Sequence, residues 1–157
     1  MQIQIDSREK SRAIKKILEC FDNHSVSHYV SKLYVGDYMS LDNPRLIIDR
    51  KQNLGELCQN VCQGHERFVK ELKKAKEAGI QLVILCEHGG GIKSMEDVEK
   101  WVNPRLKTSP MAVSGERLHR ILRKLNLKYG VRYEFCKKSD TGKRIIELLG
   151  GDVSASS

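Results

Sequence analysis

The sequence predicts an α/β domain in which helices cover both faces of a mixed central sheet. Strand-like and helix-like segments alternate along the chain, as in proteins with a helix-covered sheet. Two predominantly apolar runs, 46–48 and 80–86, are typical of strands buried on both faces. Other segments, most clearly 114–129, repeat apolar residues at helical spacing. Together these patterns predict a single packed layer of strands between two layers of helices.

The N-terminal third of the chain is predicted to contain three strands and one helix. Residues 2–6 alternate polar and apolar, which predicts a first strand ending at Asp6. A helix is expected over residues 11–22, because apolar side chains recur there on one stripe. A second strand follows at 26–30. The chain then turns through a Gly36-Asp37 corner into a strand over 45–51.

The middle of the chain is predicted to hold two helices and a buried strand. Asn53 is a candidate N-cap for a helix that runs to residue 61, and Gly64 interrupts it. A second helix over 65–78 should close at Gly79, in the C′ position. The apolar run 80–86 is the next strand.

The C-terminal part is predicted to contribute three helices and one strand. A short helix over 94–102 and a loop with two prolines precede the long amphipathic helix of residues 114–129. A strand over 131–136 and a last helix capped by Ser139 complete the domain. We expect one domain over residues 1–149 and a disordered polar tail over 150–157.

The composition limits the classes of function. The 157 residues carry a net charge of +8, which favours a polyanionic partner, nucleic acid before membrane. No apolar run approaches the ~20 residues that span a bilayer. The N-terminus lacks the pattern of a signal peptide, so we expect a cytoplasmic location without membrane association. The five cysteines are then expected to be reduced thiols.

Charged residues follow the buried strand 46–48 and suggest a metal site. Asp49 and Lys51 are two residues apart, so on a strand they point to the same face. Asp37 follows Gly36, which permits a tight backbone. Two acids and a lysine can hold a divalent metal and activate a water against a phosphodiester. A buried salt-bridge cluster is the alternative.

The pair of acids also favours a particular class of cation. Two close carboxylates repel each other, so the pKa of one should rise unless a cation lies between them. Hard ions that prefer oxygen ligands suit such a site. We therefore expect Mg²⁺ or Mn²⁺ as the cofactor.

Three motifs, taken in order, resemble the nuclease domain of the XPF family of structure-selective endonucleases. They are Asp6-Ser7-Arg8-Glu9 after the first strand, the Gly36-Asp37-Tyr38 corner, and Asp49-Arg50-Lys51 at a strand end. The resemblance implies the restriction-endonuclease fold of the PD-(D/E)-x-K superfamily. It also implies metal-dependent hydrolysis of flap, fork or junction DNA. The size fits a compact phage or prophage-type recombination or junction nuclease.

Carried over position by position, the resemblance assigns a role to each motif residue. Asp37 and Asp49 would be metal ligands, and Lys51 would position or polarise the attacking water. Asp6 or Glu9 would assist the metal shell.

The same resemblance assigns three arginines to the DNA. Arg8 would face phosphate, and Arg50 would add charge near the DNA backbone. Arg67 resembles an arginine that the family places on the following helix.

The chain departs from the family pattern at three points. Asp49 stands where the family usually has glutamate. The family's further acid falls on Gly55, and a one-residue insertion would bring Glu56 into its place as a metal ligand. No tandem helix-hairpin-helix module follows.

The family pairs through its nuclease domain, so the resemblance implies a homodimer. The family also contains inactive nuclease-like partners, so a non-catalytic DNA-binding or scaffolding subunit is the alternative function.

A basic stripe on the long predicted helix is the candidate DNA grip. Arg117, Arg120 and Lys124 recur at helical spacing, and such contacts with phosphates carry affinity without sequence information. A solvated face is the alternative.

Two further patterns remain ambiguous in the sequence. Cys58, Cys62 and His65 have the spacing of zinc ligands on a continuous helix, although buried thiols are the simpler interpretation. The segments 89–93 and 141–144 lack the residue order of a phosphate-binding loop, and we interpret both as turns.

Overall fold

The computed structural model describes residues 1–154 and has the expected mixed α/β architecture. Six strands form one sheet in the order β2-β1-β3-β4-β5-β6. The strands are β1 (Gln2–Ile5), β2 (Ser27–Val30), β3 (Tyr38–Ser40), β4 (Asn43–Lys51), β5 (Gln81–Glu87) and β6 (Arg132–Cys136). The strand β3 pairs antiparallel with β1 and β4, whereas β1–β2, β4–β5 and β5–β6 are parallel.

Six α-helices cover the sheet within residues 1–154. They are α1 (Lys15–Asn23), α2 (Leu54–Val61), α3 (His65–Glu77), α4 (Met95–Glu99), α5 (Gly115–Tyr129) and α6 (Thr141–Leu148). One core lies between the sheet and α2, α3, α4 and α5, and the other lies between the sheet and α1 and α6. Burial of apolar side chains on both faces explains the continuous apolar sequence of β5.

The helix boundaries follow local signals that the sequence contains. The side chain of Asn53 accepts a hydrogen bond from the Glu56 amide and caps α2, as predicted. Gly64 separates α2 from α3, and Gly79 follows α3 with a positive φ of 71°. Ser114 caps α5 by accepting a hydrogen bond from the amide of Arg117.

Four local predictions were wrong. Residues 141–144, interpreted as a turn, form the start of the helix α6. The short strand β3 was not predicted, because its three residues give too little pattern for a period to be read. Residues 11–14 form turns, so α1 begins only at Lys15. Ser139 does not cap the last helix: it lies in a 3-10 turn, and Asp140 precedes the first residue of α6.

The predicted tail of residues 150–157 falls partly outside the described residues, since residues 155–157 are not described. Before that point, the amide of Gly151 donates to the Ile146 carbonyl, and Val153 packs against the core formed with α1 and α6. None of the helices within residues 1–154 has the length and apolar character needed to span a bilayer.

Candidate active site

The candidate active site is a cleft of about 400 Å³ beside the C-terminal end of β4. The alternation of side chains along β4 determines what this cleft contains. Ile47 lies in the core on the side of α2 and α3, so Asp49 and Lys51 point to that side as well. Ile48 lies in the opposite core. The structure therefore brings Asp49 and Lys51 together on one face, as the sequence predicts.

A tight corner brings Asp37 to the same place. Gly36 has a φ of 69°, and a Cβ atom there would lie 2.5 Å from Cγ2 of Ile47 and 3.1 Å from the Ile48 carbonyl oxygen. Only glycine permits this close approach of the corner to β4. The Asp37 amide donates to the Ile48 carbonyl at 2.8 Å, and a carboxylate oxygen of Asp37 accepts from the Arg50 amide at 2.8 Å.

The two acids and the lysine interact directly. Nζ of Lys51 lies 3.3 Å from Oδ2 of Asp49, and both side chains are only partly exposed. Asp37 is buried. Its burial raises the pKa of its carboxyl well above the usual range, and the adjacent charge of Asp49 raises this pKa further. A cation between the two carboxylates would relieve both effects, so the pair fits a divalent metal.

The predicted third metal ligand, Glu56, is not brought into this cluster. Within residues 1–154, no three His, Cys, Asp or Glu side chains are grouped so that they can hold one metal ion. Glu56 lines the cleft, but one of its carboxylate oxygens accepts a hydrogen bond from the Gln52 amide at 2.8 Å. This contact holds the side chain over the first turn of α2, which is a capping role.

Asp6 has a structural role, which corrects its prediction as a group that assists the metal. It is buried, and its carboxylate accepts from the amides of Leu33 and Arg8 and from Nε of Arg8. Burial opposes its ionisation, but the hydrogen bonds outweigh this effect and lower the pKa of Asp6. Arg8 remains 58% exposed and lines the cleft, so it is available to a phosphate.

Arg50 borders the cleft, but its guanidinium is held by two largely buried acids, which corrects its prediction as a residue that contacts DNA. Residue 50 has the opposite orientation to residues 49 and 51 on the strand, and its guanidinium is 6% exposed. It donates to both carboxylate oxygens of Glu9, at 2.7 and 3.2 Å, and to a carboxylate oxygen of Glu87. Burial alone would lower the pKa of Arg50, but these hydrogen bonds outweigh it and raise the pKa.

We call the group Tyr38, Glu9, Arg50, Glu87 and Thr141 the buried network. The Tyr38 hydroxyl donates to Glu9 at 2.6 Å, and the Thr141 hydroxyl donates to Glu87 at 2.7 Å. The network links β3, β4, β5 and the start of α6. Sequence reasoning missed Glu87, although it ends an apolar run in the way that Asp49 does, and that signal could have found it.

The other predicted contact residues lie on helices. Arg67 on α3 is exposed and lines the cleft. The stripe formed by Arg117, Arg120 and Lys124 is exposed along α5, while Leu118 and Leu122 on the same helix are buried. The helix α5 packs on the same side of the sheet as α2 and α3, which is the side of the cleft.

The cysteine pattern has a structural explanation. The helix breaks between Cys62 and His65, and no metal cluster forms among the described residues. Burial, together with the nearby Cys62, raises the pKa of the Cys58 thiol to about 11. All five cysteines are free thiols.

Comparison with known proteins places these features in context. The family model of the ERCC4 domain matches residues 5–149. No curated protein sequence matches the chain. XPF from Aeropyrum pernix superposes with a TM-score of 0.68 at 21% sequence identity, over 95% of this chain and 63% of that protein. The same protein in complex with DNA gives a TM-score of 0.67 at 21% identity, over 97% of this chain and 68% of that one. The chain thus spans about two thirds of the structures that it resembles.

Proposed function

Because the chain belongs to the ERCC4 domain family, we propose that it is a divalent-metal-dependent endonuclease that cuts flapped, forked or junction DNA. One observation carries the proposal: Asp37, Asp49 and Lys51 meet in one cleft, and burial and mutual charge raise the pKa of Asp37. A salt-bridge cluster that served stability alone would pair each acid with a cation. Here Lys51 pairs with Asp49, whereas Asp37 forms no salt bridge with a cationic side chain within residues 1–154.

The carboxylates of Asp37 and Asp49 would hold Mg²⁺ or Mn²⁺. Two protein carboxylates suffice for Mg²⁺, which commonly keeps several waters and takes substrate phosphate oxygens as further ligands. When bound, such an ion supplies charge neutralisation at the phosphate and a bound water of lowered pKa. The hydrogen bond from the Arg50 amide fixes the orientation of the Asp37 carboxylate before any ligand arrives.

Three basic side chains around the cleft would act on the DNA. The ammonium of Lys51, 3.3 Å from Asp49, would orient and polarise the attacking water. Arg8 and Arg67 line the cleft and would contact the phosphates on either side of the reacting one. The DNA that accompanies one of the similar XPF structures supports a nucleic acid as the substrate.

The experiment that tests this function separates chemistry from binding. We expect cleavage of a labelled flap or junction with Mg²⁺ or Mn²⁺, none in EDTA, and binding without rapid turnover in Ca²⁺. Asp37→Asn and Lys51→Ala should each lower the cleavage rate on the order of 10²-fold or more. DNA affinity should be unchanged or higher for Asp37→Asn, because this variant removes a negative charge near phosphate.

Matched controls are available on the surface. Asp42 and Lys73 are exposed and line no part of the cleft, so Asp42→Asn and Lys73→Ala should cleave at the wild-type rate. If folded Asp37→Asn and Lys51→Ala also cleave at that rate, the assigned site does not perform the chemistry. If the wild-type protein binds DNA but cuts none of these substrates with Mg²⁺ or Mn²⁺, it is the non-catalytic DNA-binding or scaffolding subunit instead. A homodimer and a cytoplasmic location stay predictions. Sedimentation analysis tests the first, and fractionation of cells tests the second.

A further inference from the structure

A second, larger cavity lies on the other side of α2 from the cleft. Its volume is about 650 Å³, and it runs between α2 and the loop of residues 103–113. Glu56 lines both the cleft and this cavity, so the first turn of α2 forms a ridge between them. We call this cavity the amide groove, because amide side chains from α2 and from the segment before it line one wall.

The chemistry of the amide groove differs from that of a phosphate site. Glu56 and Arg105 are its only charged lining residues within the described chain. Gln52, Gln59 and Gln63 are exposed, and within residues 1–154 no hydrogen bond engages the amide groups of these side chains. Free side-chain amides offer donors and acceptors side by side, which is the pattern that pairs with the edges of nucleobases.

The facing wall of the groove is apolar and solvent-accessible. Met111 is 86% exposed at the rim, beside Ala112 and Val113. The loop that carries it is held at its base, because the buried Asn103 donates to the Val113 carbonyl at 2.9 Å and accepts from the Arg105 amide. A thioether on a fixed loop gives a soft apolar surface that adapts to a flat ring.

The groove also adjoins the basic stripe on α5. The positive charges of Arg105 and Arg117 both act on the thiol of Cys58, which lines the groove. The groove therefore borders the cleft at Glu56 and approaches the stripe at Arg117.

We propose that the amide groove is a subsite for one unpaired nucleotide of the strand that is cut, adjacent to the scissile phosphate. The base would lie between Met111 and the free amides of Gln59 and Gln63, and its phosphate would face Arg105. A cavity of this size suits a ligand as small as a mononucleotide. The inference rests on the proposed function, and it names the feature that would distinguish a flap from plain duplex.

The test removes the base instead of the protein contact. A flap DNA is prepared with a single abasic site at each position in turn around the cleavage point. Stacking contacts to single bases have effects that correspond to roughly 5- to 150-fold in affinity or rate. We expect one position at which the abasic site lowers kcat/KM of the wild-type protein by such a factor, while neighbouring positions have little effect.

The variant Met111→Ala, combined with Gln59→Ala and Gln63→Ala, should abolish this dependence. It should cut the intact flap as slowly as the wild type cuts the abasic one, yet cut plain duplex at the wild-type rate. Leu127→Ala is the control, because Leu127 is 80% exposed on α5 and does not line the groove. It should keep the full abasic effect.

The outcomes separate this inference from the proposed function. If the wild type cuts DNA with no position sensitive to base removal, or if the triple variant keeps that sensitivity, the subsite is wrong and the nuclease stands. If the wild type cuts no DNA at all, the same abasic series is read by fluorescence anisotropy in Ca²⁺. A position-dependent loss of affinity, absent in the triple variant, then supports the groove, and a flat profile overturns it.

Discussion

Replacing Arg50 tests whether the buried network holds the fold together. The substitution Arg50→Met keeps the length of the side chain and removes its charge and its donors. The variant loses the hydrogen bonds of the guanidinium to Glu9 and Glu87. It also leaves these two carboxylates, 11% and 2% exposed, without their shared cation.

The expected magnitude follows from this burial. Removing one partner of a buried ion pair costs about 3–5 kcal/mol of unfolding free energy, because the remaining charge stays desolvated. For a domain of this size, that loss corresponds to a fall in Tm of roughly 6–20 °C. Urea unfolding followed by circular dichroism, in EDTA and without DNA, measures the difference directly.

A matched control is the ion-pair cluster on the surface. Arg144 also binds two carboxylates, of Glu134 and Glu147, but its side chain is 31% exposed. Arg144→Met should therefore cost at most about 1 kcal/mol. Adding Glu87→Gln to Arg50→Met should recover part of the loss, because it removes one of the stranded charges.

The result that would refute this reasoning is a small effect. A cost for Arg50→Met no greater than that for Arg144→Met would mean that the guanidinium is not committed to the network. If the same variant then bound DNA more weakly, the expectation that Arg50 contacts the DNA backbone would be restored.

Two further predictions address the basic stripe and the acid dependence of stability. Changing Arg117, Arg120 and Lys124 together to Ala should weaken binding to every DNA shape about equally. The slope of log affinity against log salt should become shallower by up to ~0.9 for each phosphate that the variant no longer binds. An unchanged slope in anisotropy titrations would mean that the stripe is only a solvated face. Asp6→Asn should cost roughly 1.5 kcal/mol at neutral pH. Folding lowers the pKa of Asp6, so the stability that its carboxylate contributes is present above the unfolded pKa of about 4 and is lost as the pH falls through the folded pKa. The difference in unfolding free energy between the variant and the wild type, measured in urea titrations, should therefore close below about pH 4. A gap that stays constant down to about pH 2 would contradict this assignment.

The sequence predicted the fold well because its strongest signals are periodic and local. The apolar run of β5 and the helical repeat of α5 each need no partner to be recognised. The strand β3 was missed, since three residues between a corner and a turn carry no period. Its position in the sheet is fixed by pairing with β1 and β4, which only the folded chain supplies.

The sequence predicted the side chains on the cleft face of β4 and missed the contacts of Arg50 on the opposite face. The spacing of Asp49 and Lys51 correctly placed both in the cleft, and the same rule, applied to Arg50, would have turned it inward. Its partner Glu87 lies 37 residues away in sequence. No motif reports such a contact, and the same is true of the hydrogen bonds that occupy Asp6.

The corner at Gly36 has a consequence for how mutational scans of this protein should be interpreted. Any side chain there meets Ile47 and the Ile48 carbonyl, so it must push the corner away from β4 and carry Asp37 with it. A library selected for activity would score position 36 as intolerant as the acids themselves, although glycine contributes no atom to the chemistry. A scan of activity alone would count one catalytic position too many, whereas a parallel scan of protein abundance would assign Gly36 to the backbone.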